Sequence, residues 1–398
     1  MTTHAHGPVP DVPTSRRVQR GLGAVVLALL LAAAAGILLT WPGTTGPRVG
    51  TPETGVELVR GEVTATTMRT CAGAIGEDRL PDGTIPAVVD CPDATVALDD
   101  GATATVTIPT ALFRSGFGPG EAVVLARYPA LDGSPETYVW QDVDRRVPLT
   151  VLVVVFVAAT VAVGRRRGAA ALVGLGLGGS AVGFYVLPAL LAEENPVVVS
   201  LSAATALMGV VIYLTHGVST RTTAAYLGTV AGLALTAAVA VVVVDANHLL
   251  GLDDESSYTV SVLTGAVDLR GVVIAGTLVA ALGILNDVTI TQASAVWEVR
   301  AADPGATFRA LYAAGMRVGR DHLASTVYTV AFVYTGAALP TLLLIRLYDQ
   351  PLGEVLTTAA IAEEVVRTAV GGIALAVTVP LTTALAAATI TSRSRPRN

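Results

Sequence analysis

The sequence predicts a membrane protein, an all-α bundle of about eight transmembrane helices with a small extracytoplasmic β domain inserted between helices 1 and 2. Only 14% of the 398 residues are charged and 52% are hydrophobic, whereas soluble proteins carry roughly a quarter charged residues. Eight apolar runs approach or exceed the about 20 residues that cross a bilayer. A long polar segment separates the first run from the second.

The apolar runs contain a single charged residue, Asp287, in the sixth run. The first run follows Arg16, Arg17 and Arg20, and its roughly 21 apolar residues exceed the about 7–15 of a cleavable signal peptide. We therefore interpret it as a retained anchor. The runs are 21–41, 147–164, 168–191, 196–214, 223–244, 271–296, 323–345 and 368–392.

Arginines in short flanking segments predict the orientation, because such segments stay in the cytoplasm. A cytoplasmic N-terminus places most of these arginines inside, and the opposite short loops hold only Arg270, Arg346 and Arg367. We therefore expect a multi-pass protein of the cell membrane with both termini cytoplasmic. Its predicted parts are the tail 1–20, helix 1 at 21–41, the β domain at 42–146, a seven-helix bundle at 147–392 and the tail 393–398.

The segment 42–146 has the patterning of strands. Residues 102–108 alternate between apolar side chains and threonine, and the β-rich runs 56–67, 122–128 and 137–143 are separated by Gly, Pro and Asp turns. A small β-barrel or β-sandwich is the expected packing. The segment shows neither a Ser/His/Asp order nor a metal-ligand cluster nor a glycine-rich phosphate loop, so a docking surface without chemistry is the simplest interpretation.

The two cysteines, Cys71 and Cys91, both lie in this segment. Disulfides persist outside the cytoplasmic membrane, and a bridge closing a loop of about 20 residues contributes on the order of 3 kcal/mol. A redox-active pair would need a close spacing such as Cys-x-x-Cys, which is absent. We predict a structural disulfide.

The sixth run carries a stripe of small and polar residues at spacings of three and four, which fall on one face of a helix. Its upper part suits close packing against a neighbouring helix. Below lies Asp287, and a carboxylate near the centre of a span costs about 2.5–3.5 kcal/mol. Protonation, a hydrated cavity, a bound cation or hydrogen bonds from neighbouring helices could offset that cost. The stripe consists of Gly276, Ala280, Gly283, Asp287, Thr291, Ser294 and Glu298.

The next segment supplies polar partners for Asp287. We expect Asp303-Pro304 to open a short amphipathic helix on the inner leaflet, followed by a span that begins near Arg320-Asp321-His322. Packed antiparallel, that span brings Thr326 and Thr329 to the depth of the stripe. Two alternatives stay open: Arg320 and Asp321 form an interfacial ion pair, or the hydroxyls bond to their own helix.

At these residues the sequence resembles a known family. The stretch Ala281-Leu-Gly-Ile-Leu-Asn-Asp287-Val, the stretch Gly315-Met-Arg-Val-Gly319-Arg320-Asp321, and Tyr334-Thr-Gly336-Ala-Ala-Leu-Pro340 are similar to the YibE/F-like membrane proteins. The tail from Glu364 through Pro380 is similar to that family's last span. The resemblance implies an eight-span bacterial membrane protein with an extracytoplasmic β domain, and it implies no biochemical activity.

Two functions follow as hypotheses. In the first, the protein is a transporter in which Asp287 takes up a proton or binds sodium, Thr291, Ser294, Thr326 and Thr329 line the path, and Glu298, Arg320 and Asp321 stand at its cytoplasmic mouth. In the second, the bundle anchors the β domain as an envelope scaffold that recruits a protein partner. We expect no enzymatic activity, cofactor or metal. The longest basic tract, Arg165 to Arg167, is too short for nucleic-acid binding.

Overall fold

The computed structural model describes residues 14–43, 56–73, 80, 84–130, 135–252, 255–264, 267–347 and 351–391. The expected C-terminal tail 393–398 and most of the N-terminal tail 1–20 lie outside these ranges. The chain divides into two compact units, one formed by residues 49–160 and the other by residues 1–48 and 161–398.

The first unit contains a five-stranded antiparallel sheet in the order β3-β2-β1-β4-β5. The strands are β1 (Glu57–Cys71), β2 (Val89–Leu98), β3 (Thr103–Thr107), β4 (Ala122–Tyr128) and β5 (Thr137–Val143), and the short helix α2 (Thr110–Arg114) follows β3. Strand β1 is long enough to pair with both β2 and β4. Its register shifts between Val63 and Ala65, as at a β-bulge, where a strand bends.

The sheet curls around one hydrophobic core. The two edge strands, β3 and β5, contact each other, so the sheet approaches a barrel that is open along this seam. The core includes Val63, Val96, Val106 and Leu125, with Trp140 packed against it. Cys71 and Cys91 form the predicted disulfide, with their Cα atoms 5.9 Å apart, and it joins the ends of β1 and β2 diagonally across the ladder.

Strand β2 is the strand that sequence patterning missed. Pro92 lies inside it, and a proline within a β-rich run argues against a strand. The structure accommodates Pro92 opposite Met68 of β1. The other four strands lie at or within three or four residues of the predicted runs.

The helices of the second unit begin with α1 and continue from α3, whose first part belongs to the β unit. They are α1 (Arg16–Leu39), α3 (Arg146–Ala181), a π-helical turn (Val182–Val186), α4 (Leu187–Leu191), α5 (Pro196–His216), α6 (Thr220–Ala246), α7 (Glu255–Thr264), α8 (Leu269–Ala302), α9 (Phe308–Ala337), α10 (Leu339–Leu347), α11 (Leu352–Val355) and α12 (Ala359–Thr391). Helices α6, α8 and α12 pack against one another, and α5 and α9 pack against this core.

Within the described residues, six helices are long and apolar enough to cross a membrane, or seven if the bent pair α9–α10 is counted as one span. This count is lower than the eight spans expected, because the runs 147–164 and 168–191 form one 46-residue helical segment, Arg146–Leu191. The backbone of Arg165 inside that segment is not helical, with φ 50° and ψ −129°. The protein is therefore a multi-span membrane protein associated with a lipid bilayer.

The region after α8 also differs from the expectation. The predicted short amphipathic helix and the first part of the predicted span 323–345 form one continuous helix, α9, which starts at Phe308. The side chain of Thr307 accepts a hydrogen bond from the Ala310 N–H and caps its start. Helix α9 ends at Ala337, and α10 continues at an angle of 61°, next to Pro340, which cannot donate a hydrogen bond to the preceding turn.

Candidate functional site

Helices α8 and α9 form an antiparallel hairpin, as predicted, and carry all eight candidate pathway residues. Their connection is tied down by polar contacts, since Arg300 donates to the carbonyl of Ala306 at 2.6 Å and Asp303 accepts from the Gly305 N–H at 2.9 Å. The hairpin places Asp287 opposite His322. The Oδ2 atom of Asp287 lies 3.6 Å from Nε2 of His322, within ion-pair distance.

Asp287 lies on the outward face of α8. Its side chain is 73% exposed, and that of His322 is 26% exposed. Gly276 and Gly283, higher on the same stripe, have open space where a Cβ would be placed. Within the described part of the chain, no other helix packs closely against Gly276 or Gly283, the two glycines of the expected packing seam. The opposite face of α8 is buried against the bundle instead, and it carries Leu278 and Leu285.

Three of the predicted path hydroxyls are engaged within their own helices. Thr291 donates to the carbonyl of Asp287 at 2.8 Å, Thr326 to that of His322 at 2.9 Å and Thr329 to that of Ser325 at 2.8 Å. This is the local bonding typical of Thr in helices. Ser294 is half-buried on the same face as Asp287.

The charged residues proposed for the mouth, Glu298, Arg320 and Asp321, are exposed. In the described part of the chain, no ion pair links Arg320 to Asp321. The structure therefore brings Asp287 together with His322 and, through its carbonyl, with Thr291. Among the residues it describes, it gives no hydrogen bond or ion pair between the Asp287 carboxylate and the other candidates.

The position of Asp287 along the bundle follows from its neighbour α5. A Cβ on Gly271 would lie 2.2 Å from Pro196, so the two helices start side by side. Asp287 is sixteen residues further along α8, or about 24 Å at 1.5 Å per residue. The carboxylate thus lies towards the far end of α5, where His216 is within electrostatic range of Arg221, Arg167 and Asp287.

Gln292 is the polar residue of the hairpin that sequence reasoning missed. It is fully buried and faces α9 and α12. In the amide orientation that satisfies both of its ends, Gln292 donates to the carbonyl of Gly315 at 3.1 Å and accepts from the N–H of Gly319 at 3.0 Å. Its amide nitrogen also lies 3.2 Å from Oγ1 of Thr383 in that orientation. A signal for this contact was present in the Gly-x-x-x-Gly spacing of residues 315 and 319.

Threonine and glycine also interlock the other core helices. A Cβ on Gly228 of α6 would lie 2.2 Å from Oγ1 of Thr382 on α12, and Gly232 faces Thr378 in the same way. Thr229 and Thr289 share a hydrogen bond of 2.7 Å between α6 and α8. Small residues thus let these helices approach closely, and the buried hydroxyls serve packing.

Among the described residues no group of three or more His, Cys, Asp or Glu side chains is placed to hold a metal ion. A family model described as YibE/F-like protein matches residues 152–392, which confirms the resemblance read from the motifs. Neither a curated protein nor a solved structure matches the chain.

Proposed function

We propose that this chain, which belongs to the YibE/F-like protein family, is a membrane transporter driven by a proton or a sodium ion that binds at Asp287. The observation that carries the proposal is the pair of Asp287 and His322, 3.6 Å apart on two adjacent membrane helices. An ionisable residue within a span is costly, and such residues usually mark an ion or substrate pathway.

The pair has the chemistry for ion coupling. The carboxylate of Asp287 lies within ion-pair distance of the His322 imidazole, and a lone negative charge on it is disfavoured in a lipid environment. Arrival of a proton or a sodium ion removes that charge. With 73% of its side chain exposed, Asp287 lies on a face of α8 that the other described helices leave open, and the proposed path runs along that face rather than through the threonine-filled core.

The proposed path follows the outward stripe of α8. Thr291 and Ser294 lie below Asp287 and lead to Glu298 at the proposed cytoplasmic mouth, and Thr326 and Thr329 approach from α9. Arg320 and Asp321, next to His322, lie level with Asp287 rather than at that mouth. The threonine hydroxyls that donate to their own helices keep lone pairs that accept hydrogen bonds. They are therefore suited to coordinate a cation or a chain of water molecules.

The proposed topology has eight spans with both termini in the cytoplasm. The 46 residues of Arg146–Leu191 would extend about 69 Å as one helix, more than twice the about 30 Å of a hydrocarbon core. A turn at Arg165, whose backbone is not helical, divides the segment into two spans. This places Arg165, Arg166 and Arg167 on the arginine-rich side with the N-terminus.

Charge movement in reconstituted protein tests the transporter proposal without knowledge of the substrate. The protein is reconstituted in liposomes on a solid-supported membrane, and currents are recorded after jumps in pH or sodium concentration. We expect a capacitive current that Asp287→Asn abolishes and that His322→Gln shifts in pH dependence. Asp268→Asn, at the exposed start of the same helix, is the matched control and should keep the current. A full-size current in Asp287→Asn would exclude coupling at this residue.

A second candidate function is an envelope scaffold, and the β unit favours it. That unit has its own core, its own disulfide and a partly open five-stranded barrel, an architecture that OB-type domains use to bind extended ligands. Photocrosslinkers placed along β2 and β3 of the full-length protein should then capture a partner in cells. Capture that persists in Asp287→Asn, together with absence of any coupled current, would favour the scaffold over the transporter.

A further inference from the structure

A cavity of about 400 Å³ lies between α9–α10 and the beginning of α12. The bend of 61° between α9 and α10 lies at this cavity, since Ala338 at the bend lines it. Its walls are mainly apolar, with Ala331, Leu342, Ile361 and Val365 among the lining residues. The volume lies within the about 300–1,000 Å³ typical of small-molecule sites.

Glu364 is the charged residue that lines this cavity among the described residues. Its Oε1 atom accepts a hydrogen bond of 2.7 Å from Arg367, and the guanidinium of Arg367 lies 5.9 Å from the centre of the Tyr334 ring. The Oε2 atom of Glu364 and Nε of Arg367 are both buried and have no hydrogen-bond partner in the described part of the chain. Buried polar atoms without partners are rare in native proteins.

Glu364 lines the cavity, and its Oε2 atom needs a hydrogen-bond donor. Arg367 does not line the cavity in the described part of the chain and orients Glu364 through the hydrogen bond to Oε1. An ammonium group supplies the donor that Oε2 needs, and the apolar walls suit an acyl chain. We propose that this cavity binds a phospholipid with a primary amine headgroup, such as phosphatidylethanolamine, with its ammonium on Glu364.

The position of the charged groups agrees with a headgroup site. Glu364 and Arg367 lie in the first turns of α12, and Tyr334 lies in the last turn of α9. These residues therefore lie at the beginning of α12 and at the end of α9. A tyrosine at the end of a membrane helix is typical of the membrane–water interface. The proposal therefore places the headgroup at headgroup depth and the chain along Leu342 and Ala338. It is independent of ion coupling at Asp287.

Native mass spectrometry of the delipidated full-length protein tests this site. Phosphatidylethanolamine, phosphatidylcholine and phosphatidylglycerol with identical acyl chains are added at equal concentrations. Phosphatidylcholine has no N–H to donate, and phosphatidylglycerol has no cation. We expect the amine lipid to bind about tenfold more tightly than either, as for a charge-assisted hydrogen bond.

Two variants locate the preference. Glu364→Gln should remove it, whereas Glu354→Gln, an exposed glutamate of α11, should retain it. Ala338→Phe should fill the cavity and lower the occupancy of all three lipids. Equal binding of the three lipids by the unaltered protein, or a preference that survives both Glu364→Gln and Ala338→Phe, would overturn the proposal. If Glu364→Gln does not fold, the lipid occupancy of Ala338→Phe alone decides whether the proposal stands.

Discussion

The side chain of Gln292 and the backbone of Gly319 are in direct contact where α8 crosses α9. The amide oxygen accepts the Gly319 N–H at 3.0 Å, and a Cβ on Gly319 would lie 2.5 Å from the end of that amide and 2.6 Å from Val379. Gly319 therefore leaves room for the crossing of three helices.

We predict that Gly319→Ala destabilises the bundle by about 1–3 kcal/mol, the usual cost of overpacking a filled interior. Reversible unfolding in mixed detergent micelles, followed by circular dichroism, measures the change. Gly276→Ala on α8 is the matched control and should have little effect, because nothing lies within 4 Å of its added Cβ. Equal stability of Gly319→Ala and the unaltered protein would show that the helices at this crossing are packed less tightly than the distances from Gly319 indicate.

Gly228 and Thr382 should be energetically coupled across α6 and α12. Gly228→Ala alone places a methyl group 2.2 Å from Oγ1 of Thr382 and should be destabilising. Thr382→Ala removes that oxygen, so the double variant should be less destabilised than the sum of the singles. We expect a coupling of about 1 kcal/mol, within the range for residues in contact. Additive effects of the two substitutions in the same unfolding assay would contradict the contact.

The disulfide should stabilise the β unit. Simultaneous Cys71→Ser and Cys91→Ser should lower its free energy of unfolding by about 3 kcal/mol, because the unfolded chain regains the entropy of an open 20-residue loop. Pulse proteolysis of the full-length protein over a urea series measures this change. Reduction of the unaltered protein should give the same midpoint as the double variant. An unchanged midpoint in both cases would refute a structural role.

Stability of the β unit should fall in acid through Asp144. Hydrogen bonds from the Arg146 side chain, then from its backbone N–H, lower the pKa of Asp144 from 3.8 to about 2. A carboxylate with a lowered folded-state pKa stabilises the fold above its ordinary pKa and loses that contribution as the pH falls through the folded value. The loss therefore occurs between about pH 4 and pH 2.

The variant Asp144→Asn should flatten this dependence. Acid unfolding of the β unit, followed by tryptophan fluorescence of Trp140 between pH 5 and pH 2, compares it with the unaltered protein. Glu62→Gln, at an exposed position of β1, should retain the full dependence. Parallel curves for all three proteins would show that the ion pairs of Asp144 with Arg146, at 2.7 Å, and with Arg60, at 3.7 Å, contribute nothing to acid stability.

Sequence patterning located the apolar helices and four strands because hydropathy and β-propensity act over short windows. It could not choose the inward face of α8, since both faces are apolar enough for a membrane. The stripe with Gly276 and Asp287 looked like a packing seam, but the face with Leu285 and Gln292 is the buried one. Which face of α8 is buried depends on the shapes of α6 and α12. The sequence of α8 alone does not contain that information.

The pair of Asp287 and His322 was only partly accessible from sequence. Antiparallel packing predicted that Thr326 and Thr329 reach the depth of the stripe, whereas the structure places His322, expected at the boundary of the span, 3.6 Å from Asp287. The role of Gln292 escaped prediction because an amide in an apolar run carries no charge, and its partners are backbone groups of residues 23 and 27 positions away.

The first half of α3 contrasts with these interlocked helices, since none of residues 146–163 is buried. Its Val, Leu and Phe side chains need only be soluble in hydrocarbon, and each of these residue types meets that requirement. This stretch should therefore accept exchanges among large aliphatic residues with little penalty, while the glycines and threonines of the core tolerate almost none. Deep mutational scanning should therefore find many tolerated substitutions in residues 146–163 and few at the glycines and threonines of α6, α8 and α12.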